Sequence, residues 1–211
     1  NRLSPTLLGD AIVRWVDIEA STGGSAPSIE TRFTDATAPG LDVQPTTGEL
    51  SGGVRIAPAL ARLQLTYTAR WQQFVASRAS FHRRTLDLRH DVPLWRTAHT
   101  PLVREANTPN ECAVSATRTT GDYACPDPMA ITTNRVGSVG LRLFVSRSAA
   151  SGDDRIPFYF QPTMGGSDID GQRLLASYDD YRFRGPNVFV LQETFEHVIW
   201  GPIGVFAAAE Q

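Results

Sequence analysis

Apolar and polar residues alternate with a period of two along much of this chain. From Arg62 to Gln72, Leu63, Leu65, Tyr67, Ala69 and Trp71 fall on one side of the alternation, and Arg62, Gln64, Thr66, Thr68, Arg70 and Gln72 on the other. Successive side chains of a strand point to opposite faces, so the segment predicts a β-strand with one oily and one very polar face. The pattern returns at Val139, Leu141, Leu143 and Val145 against Ser138, Gly140, Arg142 and Ser146, and briefly at Ile29, Thr31 and Phe33 against Glu30 and Arg32. A strand is also predicted from about Val188 to Trp200, with Phe189, Leu191, Phe195 and Ile199 sharing a face. Another spans about Phe81 to Val92 with imperfect alternation, and one near Ile12 to Ile18 is expected to carry a bulge.

No long segment keeps the i, i+3, i+4, i+7 spacing of an amphipathic helix, and Gly, Pro, Asn and Asp punctuate the chain throughout. The expected class is all-β. Long loops are predicted at about Ser21 to Ser28, Thr34 to Leu50, Thr97 to Asn134 and Ser148 to Val188. A β-sandwich and a transmembrane β-barrel both alternate in this way. The density of Arg, Gln and Thr on the polar faces suits a water-filled lumen, and Trp71, Trp95 and Trp200 near strand ends suit aromatic girdles at membrane interfaces. Those two features favour the barrel.

Composition narrows the function classes. With 20 basic and 22 acidic residues, the net charge of -2 offers no footprint for a nucleic-acid backbone. All the basic residues are Arg. No stretch approaches the run of roughly 18 to 20 apolar residues that a membrane-spanning helix needs, a test to which barrel strands are blind. Cys112 and Cys125 sit in a polar, Pro- and Asn-rich stretch without a His cluster, which suits a local disulfide outside the cytoplasm better than a metal site.

The segment from Ile156 to Gln211 reads IPFYFQPTMGGSDIDGQRLLASYDDYRFRGPNVFVLQETFEHVIWGPIGVFAAAEQ. In order and spacing it resembles the signature segment of the BamA/TamA-like superfamily of outer-membrane β-barrels, the bacterial surface-antigen family. Pro157, Phe158 and Tyr159 match the opening of that segment, and Met164, Gly165, Gly166 and Ser167 match its Leu-Gly-Gly-Ser turn. Arg182, Phe183 and Arg184 match its Arg-Phe-Arg sequence. Upstream, LDLRHDVPL from Leu86 to Leu94 is similar to the family's strand that ends in a Tyr-x-Pro-Leu turn. The likeness covers about the last 130 residues well and roughly the first 80 only in general.

The resemblance implies an antiparallel transmembrane barrel of about sixteen strands, of which this chain would supply roughly eight to ten, with further strands before Asn1 and after Gln211. Residues 1–211 would then be part of one barrel domain. It would carry a Cys-containing insert at about 97–135 on the periplasmic side and a long loop at about 148–188 folding back into the lumen. In the family that loop ends in an Arg-Gly tip whose Arg pairs with acidic groups of the inner wall. Here the tip reads Leu175, Ala176, Ser177 and Tyr178, and Ala208 stands where the Phe-x-Asp-x-Gly strand has its Asp, flanked by Phe206 and Glu210. Both halves of the lock are replaced, a change that removing only one half would make costly, by about 3–5 kcal/mol for an uncompensated buried charge. Arg173, Arg182 or Arg184 meeting Glu196 is the candidate substitute for the anchor. In the family's Glu-Tyr-Arg strand the matching residues are Thr194, Phe195 and Glu196, which leaves Glu193 on the outward face unless a bulge shifts the register.

By resemblance the function is insertion of barrel proteins into the outer membrane, or passage of polypeptides across it, without cofactor or metal. The partners implied are outer-membrane lipid and other envelope proteins, either substrate polypeptides or complex subunits, and the location is the bacterial outer membrane. The alternative is a structural or anchoring barrel subunit of an envelope complex that has lost the lock, and a soluble β-sandwich binding module stands third. No enzymatic role is expected. His82, His90, His99 and His197, with Asp87 and Glu193, show no catalytic spacing, and Asp168, Asp170, Asp179 and Asp180 do not follow a known calcium loop.

Overall fold

The computed structural model describes residues 3–18, 32–42, 44–60, 63–100, 103–105, 124–126, 130–167, 171, 173–175 and 183–211. Seven strands form one antiparallel sheet in the order β1 (Leu3–Arg14), β2 (Thr47–Leu60), β3 (Leu63–Val75), β4 (Phe81–Thr100), β7 (Ala130–Ala150), β10 (Asn187–Trp200) and β11 (Ile203–Glu210). Two short ladders accompany it: β5 (Val103–Glu105) with β6 (Ala124–Pro126), and β8 (Thr163–Met164) with β9 (Phe183–Arg184). Among the described residues the sheet has seven strands, where eight to ten are expected of the chain, and it is not closed, since β1 and β11 each have a single neighbour.

The predicted strand at Arg62 to Gln72 is β3, and its faces divide as the alternation requires. Register links Gln72 to Arg83, Arg70 to Thr85 and Thr68 to Asp87 on one face, and Trp71 to Arg84, Ala69 to Leu86 and Tyr67 to Leu88 on the other. Followed across the sheet, the first face carries Asp10, Glu49, Arg70, Asp87, Arg142 and Gln192, and the second carries Leu7, Val54, Leu86, Val145 and Phe189. The polar face is the covered one. Glu49, Gln72 and Arg83 are each 3% exposed, whereas Leu7 is 87%, Phe189 58% and Trp200 75% exposed on the apolar face or at its end. This inverts the usual arrangement of a water-soluble sheet.

Several boundaries differ from expectation for physical reasons. β2 begins at Thr47, inside the loop expected to run to Leu50, and its remainder to Leu60 has no expected element, because Gly48, Gly52 and Gly53 interrupt an alternation that Leu50, Val54 and Ile56 otherwise carry. β1 ends at Arg14 in unbroken register with β2, without the expected bulge, and Val16 and Ile18 beyond it turn in to pack on an aromatic cluster. Of the segment expected as a strand at Ile29 to Phe33, Arg32 and Phe33 lie outside any strand and the rest falls outside the described residues.

The stretch from Leu86 to Leu94 does not end in a turn. β4 runs on through Pro93, which stands opposite Ser138 of β7, beyond the last described pair with β3, Gln64 with Asp91. Past a bulge at Leu94/Trp95, β4 and β7 continue as a two-stranded ribbon that β5 and β6 extend. The region expected as a loop from Thr97 to Asn134 is therefore largely hairpin where it is described.

Antiparallel order sorts the connections to two ends. The β1–β2, β3–β4 and β7–β10 connections lie at one end, and the β4–β7 ribbon and the tight β10–β11 turn lie at the other. The β7–β10 connection and the β4–β7 ribbon thus occupy opposite ends of the sheet. Gly201 makes the β10–β11 turn with φ of 52°, a left-handed conformation that glycine adopts without strain.

Candidate functional site

Because charged residues recur at every second position, neighbouring strands bring them together in cross-strand groups on the polar face. Arg14 Nε donates to Glu49 at 3.1 Å, and Gln72 Nε2 donates to the other Glu49 oxygen at 2.8 Å. One step along, Arg70 donates to Asp10 at 2.5 Å and to Ser51 Oγ at 2.9 Å. Asp87 is held from two sides, by Arg89 Nη2 at 2.7 Å and by Arg142 through Nε at 3.1 Å and Nη2 at 3.0 Å. Arg142 also donates to Gln192 Oε1 at 3.1 Å, and Gln192 Nε2 donates to Glu210 at 2.9 Å. That last chain crosses β4, β7, β10 and β11.

The β7–β10 loop lies on this face and holds to it at two places. Near its start, one turn of 3-10 helix, Phe158–Phe160, sets Phe160 against Phe74 and Phe81, whose rings stack at 4.2 Å and 8°. Arg83, lying over both rings of that stack, donates to the Phe160 carbonyl. Tyr159 joins the same cluster; burial pushes its phenol up to about 12. Further along, Leu174 and Leu175 pack on Phe144, Val188 and Val190. There Arg142 Nη1 donates to the Arg173 carbonyl at 3.4 Å and Gln192 Nε2 to the Leu174 carbonyl at 2.5 Å. The β1–β2 loop supports the arrangement from the side, with the Phe158 N–H donating to the Pro39 carbonyl at 2.8 Å.

The motif residues fall as follows. Gly165 and Gly166 take φ of 93° and 69°, left-handed conformations that glycine adopts without strain, at the positions matching the Leu-Gly-Gly-Ser turn. Met164 pairs with Phe183 and Thr163 with Arg184, so the turn and the Arg-Phe-Arg sequence meet although distant in the chain. Arg184 donates to the Phe158 carbonyl at 3.1 Å and lies over the Phe158 ring. Phe183 is half exposed and Leu175 buried. Ala176, Ser177, Tyr178, Arg182 and Cys112 lie outside the described residues; the backbone of Cys125 pairs with that of Arg104.

Arg173 and Glu196 are not brought together. Arg173 is exposed, and the loop reaches the wall at Gln192, whereas the register of β10 sets Glu196 further along, opposite Ser138 and Phe206. The anchoring polarity is instead reversed: arginines of the wall, Arg83 and Arg142, donate to backbone carbonyls of the loop. Reading the alternation places Arg142 on the polar face, whereas Arg83 lies in a strand of imperfect alternation, and the carbonyls both meet belong to a loop whose path no periodicity encodes.

The other candidates separate. Asp87 faces the loop while His90 faces the opposite side, where its Nε2 lies 3.0 Å from the Tyr67 hydroxyl. His197 stacks beside Phe195 on the outward face. Asp168, Asp170, Asp179 and Asp180 and the His99 side chain are outside the described residues, among which no group of three or more His, Cys, Asp or Glu could hold a metal. No protein-family model, curated protein or solved structure matches the chain.

Proposed function

We propose that this chain forms part of the wall of a bacterial outer-membrane β-barrel of the BamA/TamA-like class, acting in the insertion or translocation of polypeptides. The observation that carries the reading is the inverted sheet: charged residues buried beneath a loop on one face, and a largely apolar face, interrupted by Glu193 and a few His and Arg, open on the other. In a barrel the open face meets lipid and the polar face lines the lumen. The dimensions agree. The row holding Trp71, Arg84, Arg147 and Asn187 is separated from Trp200 by about 40 Å along β10, or about 28 Å for a strand tilted by ~45°, close to the thickness of a hydrocarbon core.

A second reading, an anchoring or scaffold barrel in an envelope complex, is favoured by the manner in which the loop is held. Three wall side chains, Arg83, Arg142 and Gln192, fix loop carbonyls, and two apolar clusters reinforce them. A loop held so firmly suits a lumen that stays closed. The projecting β4–β7 ribbon with the cysteine-bearing insert would then be the surface that meets a partner protein.

The first test is gel mobility of the protein extracted from outer membranes, with and without boiling. A shift on boiling supports a closed, detergent-resistant barrel. Recovery in the soluble fraction with no shift would overturn the membrane reading in favour of a β-sandwich module. Depletion of the protein then separates the two readings: loss of other barrel proteins from the membrane supports insertion, and an unchanged barrel inventory with a dispersed complex supports the scaffold.

A further inference from the structure

A cavity of about 110 Å³ lies between the polar face and the loop, bounded by β1, β2, β3, β4 and β7 and touched by Pro162 from above. The volume is many times the roughly 10–15 Å³ that one water requires. Its lining is rich in donors. Arg55, Arg70 and Arg83 border it together with the hydroxyl residues Thr68, Thr85 and Ser146. The one carboxylate in the lining, Asp87, is already bonded by two guanidiniums, Arg89 and Arg142, so it adds no unbalanced negative charge.

Among the described residues, Ser146 lacks a hydrogen-bond partner and Arg55 an ion-pair partner. Ser146 is 2% exposed, and its hydroxyl is buried without a hydrogen-bond partner, a state that costs about 1–3 kcal/mol when nothing fills it. Arg55 is exposed and makes no ion pair with any described residue, so its charge is free to meet an anion, whereas Arg14, Arg70, Arg89 and Arg142 each meet an acid. Register sets Arg55 beside Thr68 and Ser146 beside Thr85, so the unpaired cation and the orphan hydroxyl approach one cavity from opposite sides.

We propose that this cavity is a binding site for a small oxyanion of the phosphate or sulfate class. A tetrahedral oxyanion accepts from planar guanidinium forks and hydroxyls at once, and a partly dehydrated site strengthens each such bond. Arg55 supplies the neutralising charge and Ser146 an O–H donor. Pro162, carried by the loop, covers the site, so an occupant would tie the loop to the wall. The inference rests on the geometry of the polar face alone and holds whether the sheet lines a barrel or a soluble module.

Titration calorimetry of inorganic phosphate into the folded protein at fixed ionic strength tests it, with Arg55→Gln and Ser146→Ala as variants and far-UV circular dichroism to verify their fold. Saturable one-to-one binding is expected, weakened about tenfold by Arg55→Gln, which corresponds to roughly 1.4 kcal/mol, and several-fold by Ser146→Ala. Arg55 bonds no described residue, so Arg55→Gln leaves the fold intact, and Arg55→Lys should restore part of the affinity. The proposal is overturned by the absence of saturable heat, which would leave only water in the cavity. Binding that neither variant weakens also overturns it, since the anion would then lie elsewhere.

Discussion

Arg142 of β7 grips the carboxylate of Asp87 on β4 with two nitrogens, Nε to one oxygen at 3.1 Å and Nη2 to the other at 3.0 Å. This two-point contact fixes the relative orientation of both groups, and Arg89 closes the cluster from the same strand as Asp87. Arg142 is the shared member: the same guanidinium reaches Gln192 and the Arg173 carbonyl, and so joins strand pairing to loop docking.

Asp87→Asn keeps the shape but leaves two guanidiniums facing a neutral amide. It should lower stability by about 2 kcal/mol, read as the midpoint of urea unfolding. Combining it with Arg142→Gln should cost less than the sum of the single changes, because each single change strands a charge that the double change removes. Additive effects would mean that the two side chains are independently hydrated and that the contact contributes nothing.

Gln192→Ala tests the loop without breaking an ion pair. It removes the bond to the Leu174 carbonyl at 2.5 Å and leaves Leu174 and Leu175 held by packing and by Arg142. The peptide bond after Arg173 leads directly into buried Leu174, so trypsin should cut there slowly in the parent protein and several-fold faster in the variant. Circular dichroism of the strands should not change. Equal cleavage rates would show that packing alone holds the loop.

What the sequence discloses follows from the kind of information each feature needs. The faces of β3, β7 and β10 are legible because alternation is a local property, and the polar and apolar sides of Leu63 to Gln72 are the sides observed. β2 is obscured by glycines, which carry no side chain to register on either face. Pro93 misleads because β4 continues through it in its pairing with β7, a tertiary fact. The turn at Gly165 and Gly166 is expected only from the resemblance, on the match to its Leu-Gly-Gly-Ser turn. The contacts of Arg83 and Arg142 with loop carbonyls are not, since a backbone acceptor has no signature in the residue type that bears it. Glu196 does not meet Arg173 because strand register, rather than charge, sets where each stands along the wall.

Tyr159 gives the loop a dependence on alkaline pH. Its buried hydroxyl has no hydrogen-bond partner, and burial raises its pKa from 10 to about 12. A raised folded-state value means that the favourable contribution of the neutral phenol is intact below pH 10 and declines as the pH climbs through 12. Phenolate absorbance should therefore show one tyrosine titrating late, and the loop should become protease-sensitive in the same range. Tyr159→Phe should abolish the late titration and leave the loop protected at higher pH. Protection lost at the same pH in both proteins would assign the transition to another group.

The outward face decides between membrane and water, and Glu193 is its sharpest probe. The register of β10 is continuous from Asn187 to His197 and shifts only at Val198/Trp200, so no bulge turns Glu193 away from the side it shares with Phe189, Leu191 and Phe195. Its neighbours across the strands are Leu141 and Ala209. In lipid such a carboxylate costs up to about 2 kcal/mol, so Glu193→Leu should raise the midpoint of unfolding from a bilayer by that order. In water the same change would enlarge an apolar patch and promote aggregation instead. Nitroxide labels supply an independent reading: one replacing Leu143, on the outward face beside Leu88 and Leu191, should be relaxed by dissolved oxygen. One replacing Thr68, on the opposite face, should respond to a water-soluble nickel chelate. Nickel access at both positions, together with aggregation of Glu193→Leu, would place water on both sides of the sheet and remove the barrel from consideration.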